Sequence, residues 1–320
     1  MLSAWPMLVA LGAGFFLIGT VVGSFLNVCI YRIPWQKSVI WPGSHCLRCW
    51  SAIAPQDNIP IVSWLALRGE CRSCGLRISA RYPMVEAMVG LLFLGAFLID
   101  VVAAPRGPWY AIPTDRLIAA TYHSIFLALL VAATFIDYDL MLIPDQITVT
   151  GMVIGILMGT IWPGVRPEPS ILLPQGSTSH WQGLIAGIVG MAVGAGLTQG
   201  VRGSAGFLFG REAMGLGDVT LMGMVGAFLG WQAAVLTFFL APFFGLAHAA
   251  WKVLVNLKKR LAGAQLSSAD REIPYGPYLS MAAAALLFAW PVVWRGWAAG
   301  LFHSLYVVFW WLMGVTNIPD

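Results

Sequence analysis

The chain has 320 residues, of which 59% are hydrophobic and 10% are charged, and its formal net charge is +4. Soluble domains carry roughly 25% charged residues, so this composition excludes an ordinary water-soluble globular protein. Lys and Arg gather in particular loops, as residues that set membrane orientation do, and this distribution argues against a nucleic-acid partner. The composition therefore predicts an all-α polytopic membrane protein.

Apolar runs near the roughly 20 residues that cross a bilayer recur along the chain and predict about eight transmembrane helices. The first run continues past Gly23 without a small-residue cleavage site, so we expect it to remain as a helix. A further segment at about 299–314, rich in Trp and Phe, is expected to be either a ninth span or an interfacial helix. The eight predicted helices lie at about 7–30, 84–104, 117–136, 146–162, 181–201, 218–229, 232–255 and 275–294.

The basic residues fall mainly on one side of these helices. Fourteen lie at 31–83, 202–217 and 252–274, whereas the opposite loops hold four, namely Arg106, Arg116, Arg166 and Arg295. Because loops rich in Lys and Arg stay in the cytoplasm, the N-terminus is predicted to lie outside. The expected divisions are a first helix at 1–30, a cytoplasmic loop at 31–83, a membrane domain at 84–294 and an apolar extension at 295–320.

Two acidic clusters, far apart in sequence, fall on the predicted cytoplasmic side. Asp137 lies where the third predicted helix ends, and Asp218 lies where the sixth begins, after Gly215 and Gly217. A carboxylate at the edge of hydrocarbon is costly to ionise, which makes a functional role the first hypothesis. Two neighbouring carboxylates that share one proton supply the acid and the base for hydrolysis of a peptide bond. The glycines would let a substrate backbone approach Asp218 closely.

Structural roles remain open for these acidic residues. Asp145 follows Pro144 and precedes an apolar helix, as an N-cap residue does, and Asp218 could also serve only as a helix cap. Asp139 in a short turn is typical of a solvated loop carboxylate. The alternative functions are a transporter or channel whose carboxylates relay protons, or a noncatalytic assembly factor. A transporter is disfavoured because no internal repeat is visible and both carboxylates are predicted at one face.

Four of the five cysteines form two C-x-x-C pairs, which are separated by 21 residues. This spacing predicts a closed four-thiolate zinc site that staples the cytoplasmic loop and activates no water. Two disulfides are the alternative, which the predicted compartment disfavours because thiols stay reduced there. Cys29 is expected to be a core residue of the first helix, and His45 is an additional ligand candidate. The predicted ligands are Cys46, Cys49, Cys71 and Cys74.

Eight short motifs occur in a characteristic order along the chain. They are Gly23 to Val28, Tyr31 to Pro34, Asn58 to Pro60, Leu67 to Gly69, Arg81 to Glu86, Asp137 to Asp145, Glu212 to Asp218 and Ile273 to Pro277. In this order they resemble the motifs of the prepilin peptidases, also called type IV leader peptidases. That family consists of bifunctional inner-membrane enzymes of pilus and type II secretion systems, which are GxGD-type aspartyl proteases.

The resemblance implies that Asp137 and Asp218 are the catalytic pair at the cytoplasmic face of a multi-pass inner-membrane protein. It implies cleavage after a glycine, between a short basic leader and the apolar helix of a prepilin or pseudopilin that stays in the lipid bilayer. It also implies methylation of the new N-terminus with S-adenosylmethionine, an activity associated with the N-terminal cytoplasmic region. The residues themselves predict no methyl-donor pocket, because no glycine-rich loop in a βαβ context is present.

Overall fold

The structure is a computed structural model that describes residues 5–103, 114–167, 179–210, 214–261 and 274–313. Within these ranges the chain forms helices and two isolated β-bridges, and no strand. The prediction of an all-α fold is confirmed. The chain divides into two compact units, Met1–Gly151 and Met152–Asp320. Of the residues named above, three lie outside the described ranges, namely Arg106, Glu212 and Ile273.

The first unit contains three long apolar helices and the start of another. They are α1 (Trp5–Arg32), α3 (Arg81–Phe97), α4 (Thr114–Leu140) and the first residues of α5 (Asp145–Ile161), and a short helix α2 (Val62–Ala66) lies between α1 and α3. A π-helical turn over Leu98–Val102 extends α3. Helices α1 and α3 approach at backbone distance, because a Cβ on Gly23 would lie 2.7 Å from the Cα of Glu86.

The second unit contains the rest of α5 and five further helices. These are α6 (His180–Phe209), α7 (Leu216–Leu229), α8 (Trp231–Leu261), α9 (Gly276–Val293) and α10 (Ala299–Leu312). Helix α7 is its core, since every residue from Leu221 to Leu229 is buried. Helices α6 and α7 touch through their backbones, because a Cβ on Gly226 would lie 1.9 Å from the carbonyl oxygen of Gly190. Glycine makes this packing possible.

All eight predicted helices occur. Among the described residues, six segments are long and apolar enough to cross a membrane, namely Trp5–Trp35, Arg81–Val102, Thr114–Leu140, His180–Leu208, Trp231–Leu257 and Gly276–Leu312. Helices α5 and α7 are apolar but have only 17 and 14 residues. The predicted ninth helix is α10, and a π-helical turn over Trp294–Ala298 makes it continuous with α9.

Three helices run further than their predicted ends. Helix α4 ends at Leu140 instead of about 136, α6 at Phe209 instead of about 201, and α8 at Leu261 instead of about 255. The first two stop where a residue takes a left-handed backbone conformation, at Met141 with φ 53° and at Gly210 with φ 63°. Loss of hydropathy marks the end of a span but does not end a helix, which explains the difference.

Candidate active site and metal centre

Asp137 lies in the last turn of α4, three residues before the helix ends. It is only 6% exposed, whereas Tyr138 and Leu140 beside it are exposed. A negative charge near a helix C-terminus is opposed by the helix dipole, so a capping role does not account for Asp137. Burial of such a carboxylate therefore favours a functional explanation.

The next two carboxylates along the chain, Asp139 and Asp145, have structural roles. The two carboxylate oxygens of Asp139 accept hydrogen bonds from the guanidinium of Arg81 at 2.9 and 2.6 Å. Arg81 is the first residue of α3 and also lies 4.9 Å from the ring centroid of Phe135, so the pair joins α3 to the end of α4. Asp139 is exposed, as expected of a solvated carboxylate, but it is also ion-paired and lies in the last turn of α4 and not in a loop. Asp145 is exposed as the first residue of α5, one position beyond an N-cap, where its charge suits the helix dipole.

Asp218 is the third residue of α7 and is 7% exposed. Its Oδ2 accepts a hydrogen bond of 3.1 Å from the backbone N–H of Gly215, so the predicted capping contact is present. Gly215 has an ordinary extended conformation with φ −75°, and a Cβ there would meet nothing closer than 3.8 Å. The chain's own packing therefore does not require glycine at 215. The open space lies beside the Asp218 carboxylate, where a substrate backbone would need it.

An aromatic residue that sequence analysis did not select lies near Asp218. Burial, followed by the negative charge of Asp218, raises the pKa of Tyr275 to about 12, so this phenol stays protonated at physiological pH. Its ring meets that of Tyr278 edge-on at a centroid distance of 6.4 Å, and the Tyr278 hydroxyl hydrogen-bonds His248 of α8. Tyr275 belongs to the last of the eight sequence motifs, and its place in that motif was the sequence signal that could have identified it.

The four predicted thiol ligands meet in space. The sulfur atoms of Cys46, Cys49, Cys71 and Cys74 all lie within 4.8 Å of one another, and those of Cys46 and Cys74 are 3.7 Å apart. Tetrahedral Zn–S bonds of about 2.3 Å place sulfurs roughly 3.8 Å apart, so a single metal ion fits between them. All five cysteines are free thiols, and Cys29 is buried in α1 away from this cluster. The cluster therefore fits a structural metal and not two disulfides.

Local hydrogen bonds shape each C-x-x-C pair into a tight turn. The backbone N–H of Cys46 donates to the Ser51 carbonyl, and that of Cys71 donates to the Leu76 carbonyl. An isolated antiparallel bridge closes each turn. Because these contacts span only a few residues, the knuckle geometry follows from local sequence, which explains why the spacing predicted it.

The thiols differ in acidity. Hydrogen bonds from Ser51 lower the pKa of Cys49 to about 6. At Cys74 a backbone hydrogen bond involving Leu76 lowers the pKa, but burial and the adjacent thiols outweigh it and raise the value to about 11. Coordination to a metal cation favours the thiolate form of cysteine. His45 stacks on Trp50 at a centroid distance of 5.1 Å and is not part of the cluster.

Buried polar contacts attach this loop to α3. The carboxylate of Glu86, a buried residue of α3, accepts a 2.7 Å hydrogen bond from the N–H of Ile61, whose φ is 62°. A β-branched residue in this conformation is strained, and the hydrogen bond to Glu86 stabilises it. Within the loop, Arg72 forms a bidentate ion pair with Asp57 and lowers the pKa of that carboxyl.

Arg166, assigned from sequence to an outer loop, is only 8% exposed. Its guanidinium donates to the carbonyls of Gly155 and Gly159 in α5, at 3.3 and 3.1 Å. It also donates to Gly183 in α6 at 2.7 Å and to Ala227 in α7 at 3.2 Å. This arginine is therefore a packing residue that joins three helices. The glycine spacing on α5 and α6 was the only sequence signal for it.

The fold and these sites define a membrane-embedded helical protein with two buried carboxylates at helix ends and a four-thiol cluster that fits a metal ion. Asp137 belongs to the first unit and Asp218 to the second. A model described as the type IV leader peptidase family matches residues 124–250, which include both carboxylates. A second model, described as the bacterial peptidase A24 N-terminal domain, matches residues 17–99, which include the four thiols.

Curated proteins show the same similarity. The chain is 38% identical over 219 residues to a prepilin leader peptidase/N-methyltransferase of Myxococcus xanthus, covering 68% of this chain and 56% of that protein. It is 32% identical over 292 residues to the protein of that name from Aeromonas salmonicida, covering 83% and 87%. A type 4 prepilin-like proteins leader peptide-processing enzyme of Escherichia coli is 30% identical over 304 residues, covering 89% and 94%. No solved structure matches the chain.

The chain belongs to the type IV leader peptidase family. The resemblance found in the sequence motifs is thereby confirmed, as is the prediction of an enzyme. Family membership and six candidate spans indicate a multi-pass protein of the inner membrane. They do not favour a transporter or a noncatalytic assembly factor.

Proposed function

We propose that this chain removes the leader from type IV prepilins and pseudopilins with Asp137 and Asp218, and then methylates the new N-terminus. The observation that carries the proposal is the burial of these two carboxylates at helix ends, within the region that matches the family. Both activities appear in the names of the relatives. Helix capping does not explain the burial of Asp137, and Asp218 has open space beside it. Both features suit a pair of carboxylates that hydrolyses a peptide bond.

In the proposed reaction, one ionised carboxylate takes a proton from a water molecule while the water oxygen attacks the carbonyl carbon of the glycine before the cut. The other carboxyl group, protonated, donates its proton to the carbonyl oxygen. The tetrahedral intermediate then collapses and the C–N bond breaks. The leaving amine takes up the proton first removed from water, and one hydroxyl of the intermediate returns its proton to the second carboxylate as the new carbonyl forms. One water is consumed and both carboxyl groups return to their initial states.

The assay is cleavage of a membrane-anchored prepilin by purified protein in detergent. Asp137→Asn and Asp218→Asn are each expected to lower turnover by at least about a thousandfold, because each removes one of two groups with separate roles. Asp145→Asn is the matched control, since it removes an exposed carboxylate from the same segment. Turnover by either test variant at the rate of the control would refute the two-aspartate mechanism.

For the metal centre we propose zinc, held by the four clustered thiolates and structural because no coordination position stays open. Metal analysis should find roughly one equivalent in the purified protein and almost none in a Cys71→Ser, Cys74→Ser double variant. Cys29→Ala is the control, because it removes a thiol that lies outside the cluster. Equal zinc in all three proteins would reject this site.

The methyl donor is proposed to be S-adenosylmethionine, on the strength of the relatives' names. Mass spectrometry of the mature pilin should show the added mass of one methyl group only when the donor is supplied. A cleaved but unmethylated product would leave the chain as a peptidase alone. The double cysteine variant separates the activities, because loss of methylation with retained cleavage would connect the metal-bound loop with methyl transfer.

The proposed orientation places the N-terminus outside and the four-cysteine loop in the cytoplasm. Removing the buried arginines from both groups, Arg32 from the inner group and Arg166 from the outer group, leaves thirteen basic residues against three, so the asymmetry persists. An epitope tag at the N-terminus should be cut by protease added to spheroplasts and protected in inverted vesicles. The reverse pattern would overturn the orientation.

A further inference from the structure

The chain folds back on itself where it leaves α1. The buried Arg32 at the end of this helix donates to the carbonyls of Ser38 and Gly43 at 3.0 and 3.5 Å, and its own carbonyl accepts the Lys37 N–H at 3.1 Å. The apolar segment that begins with α1 reaches Trp35. These hydrogen bonds hold residues 33–43, which we call the juxtamembrane turn, against the C-terminal end of α1.

This turn exposes large apolar side chains. Ile40 is 85% exposed, Trp41 is 78% exposed, and Trp35 is also exposed. Burial of apolar side chains of this size away from water is favourable, so their exposure to water is costly. Tryptophan is enriched where bilayer headgroups meet hydrocarbon, because its ring is apolar and its N–H is polar. The position and composition of the turn together indicate contact with the lipid interface.

An open cavity of about 530 Å³ lies beside the turn, with a polar part and an apolar part. Lys37, Gln36 and Gln146 supply an ammonium and two amides, while Ile33 and Ile40 supply apolar surface. Lys37 forms no ion pair with any residue in the described ranges. The ammonium and the amide N–H groups can bind a phosphate group, and the apolar surface beside them can contact acyl chains.

We propose that this cavity binds the headgroup of an anionic phospholipid, with the phosphate at Lys37 and the acyl chains along Ile33 and Ile40. The residues that line the cavity include no carboxylate, so nothing there would pair with the cationic group of a zwitterionic lipid. The same charge disfavours a basic leader peptide as the occupant. A bound lipid would fix the height of the metal-binding loop relative to the bilayer, and this inference does not depend on the proposed peptidase activity.

The first test measures lipid retention by native mass spectrometry of the delipidated full-length protein titrated with phosphatidylglycerol or phosphatidylcholine. Lys37→Gln is expected to weaken phosphatidylglycerol binding about fivefold, the effect of one basic side chain on an anionic headgroup. Arg68→Gln removes the same charge from an exposed position of the same loop and should leave binding unchanged. Equal losses in both variants, or equal binding of the two lipids by the parent, would overturn the proposal.

The second test locates the contact in membranes. A photo-crosslinking amino acid at Ile40 should form phospholipid adducts, whereas the same probe at Leu65, which is also exposed, should form few. Adducts of equal yield at both positions would show nonspecific lipid contact and refute the site. Crosslinking of the Ile40 probe to a co-expressed prepilin in place of lipid would assign the cavity to substrate and also refute it.

Discussion

Replacement of Arg166 by Met is expected to destabilise the second unit strongly. The carbonyls of Gly159 and Ala227 lie in the last turns of α5 and α7, where helices lack intrahelical donors. For Gly159 the residue four positions on is Pro163, which has no N–H. The guanidinium therefore serves the C-termini of two helices at once, where the helix dipoles also favour a positive charge.

The magnitude follows from those two carbonyls. A buried polar group that loses its partner costs roughly 1–3 kcal/mol, so Arg166→Met should cost about 2–6 kcal/mol. For a unit of this size each kcal/mol moves the midpoint roughly 2–4 °C, which predicts a fall of about 5–20 °C. The assay is fluorescence-detected size exclusion after heating in detergent. Arg295→Met, which removes an exposed arginine from the same unit, should change the midpoint little.

A second variant tests the same contact from the opposite side. A Cβ on Gly187 would lie 2.5 Å from Nη2 of Arg166, so Gly187→Ala should displace the guanidinium. If both variants act through this contact, the double variant should be little less stable than Arg166→Met alone. Additive losses, or an Arg166→Met midpoint equal to that of Arg295→Met, would refute the account of Arg166 as a bridge between helix ends.

Three further outcomes are expected. Gly215→Ala should leave the thermal midpoint unchanged but lower prepilin cleavage about tenfold or more, because the added methyl group occupies space proposed for substrate. Unchanged turnover would contradict the proposal that substrate occupies this space. Arg81→Gln and Asp139→Asn should each cost roughly 1 kcal/mol, and the double variant no more than either, whereas additive costs in a double-mutant cycle would exclude their coupling. Glu86→Ala should speed amide exchange at Ile61 in hydrogen–deuterium exchange, and an unchanged rate would show that the loop does not depend on this carboxylate.

The sequence alone predicted the features that depend on local chemistry. Hydropathy and helical length identified all eight helices, because each span must bury its own backbone hydrogen bonds in lipid. The four-thiol cluster followed from the C-x-x-C spacing, because each knuckle closes within a few residues. Asp137 and Asp218 stood out because a carboxylate beside hydrocarbon is costly, and both are indeed buried.

Only the tertiary structure decided which partners the buried and half-buried polar groups bind. Asp139 pairs with Arg81, which lies 58 residues away, and Arg166 reaches Ala227 at a separation of 61 residues. From sequence, Asp139 is a loop carboxylate and Arg166 is an outer-loop charge. A polar group satisfies its hydrogen bonds with whichever element packs against it, and hydropathy and short-range spacing contain no information about which helices will meet.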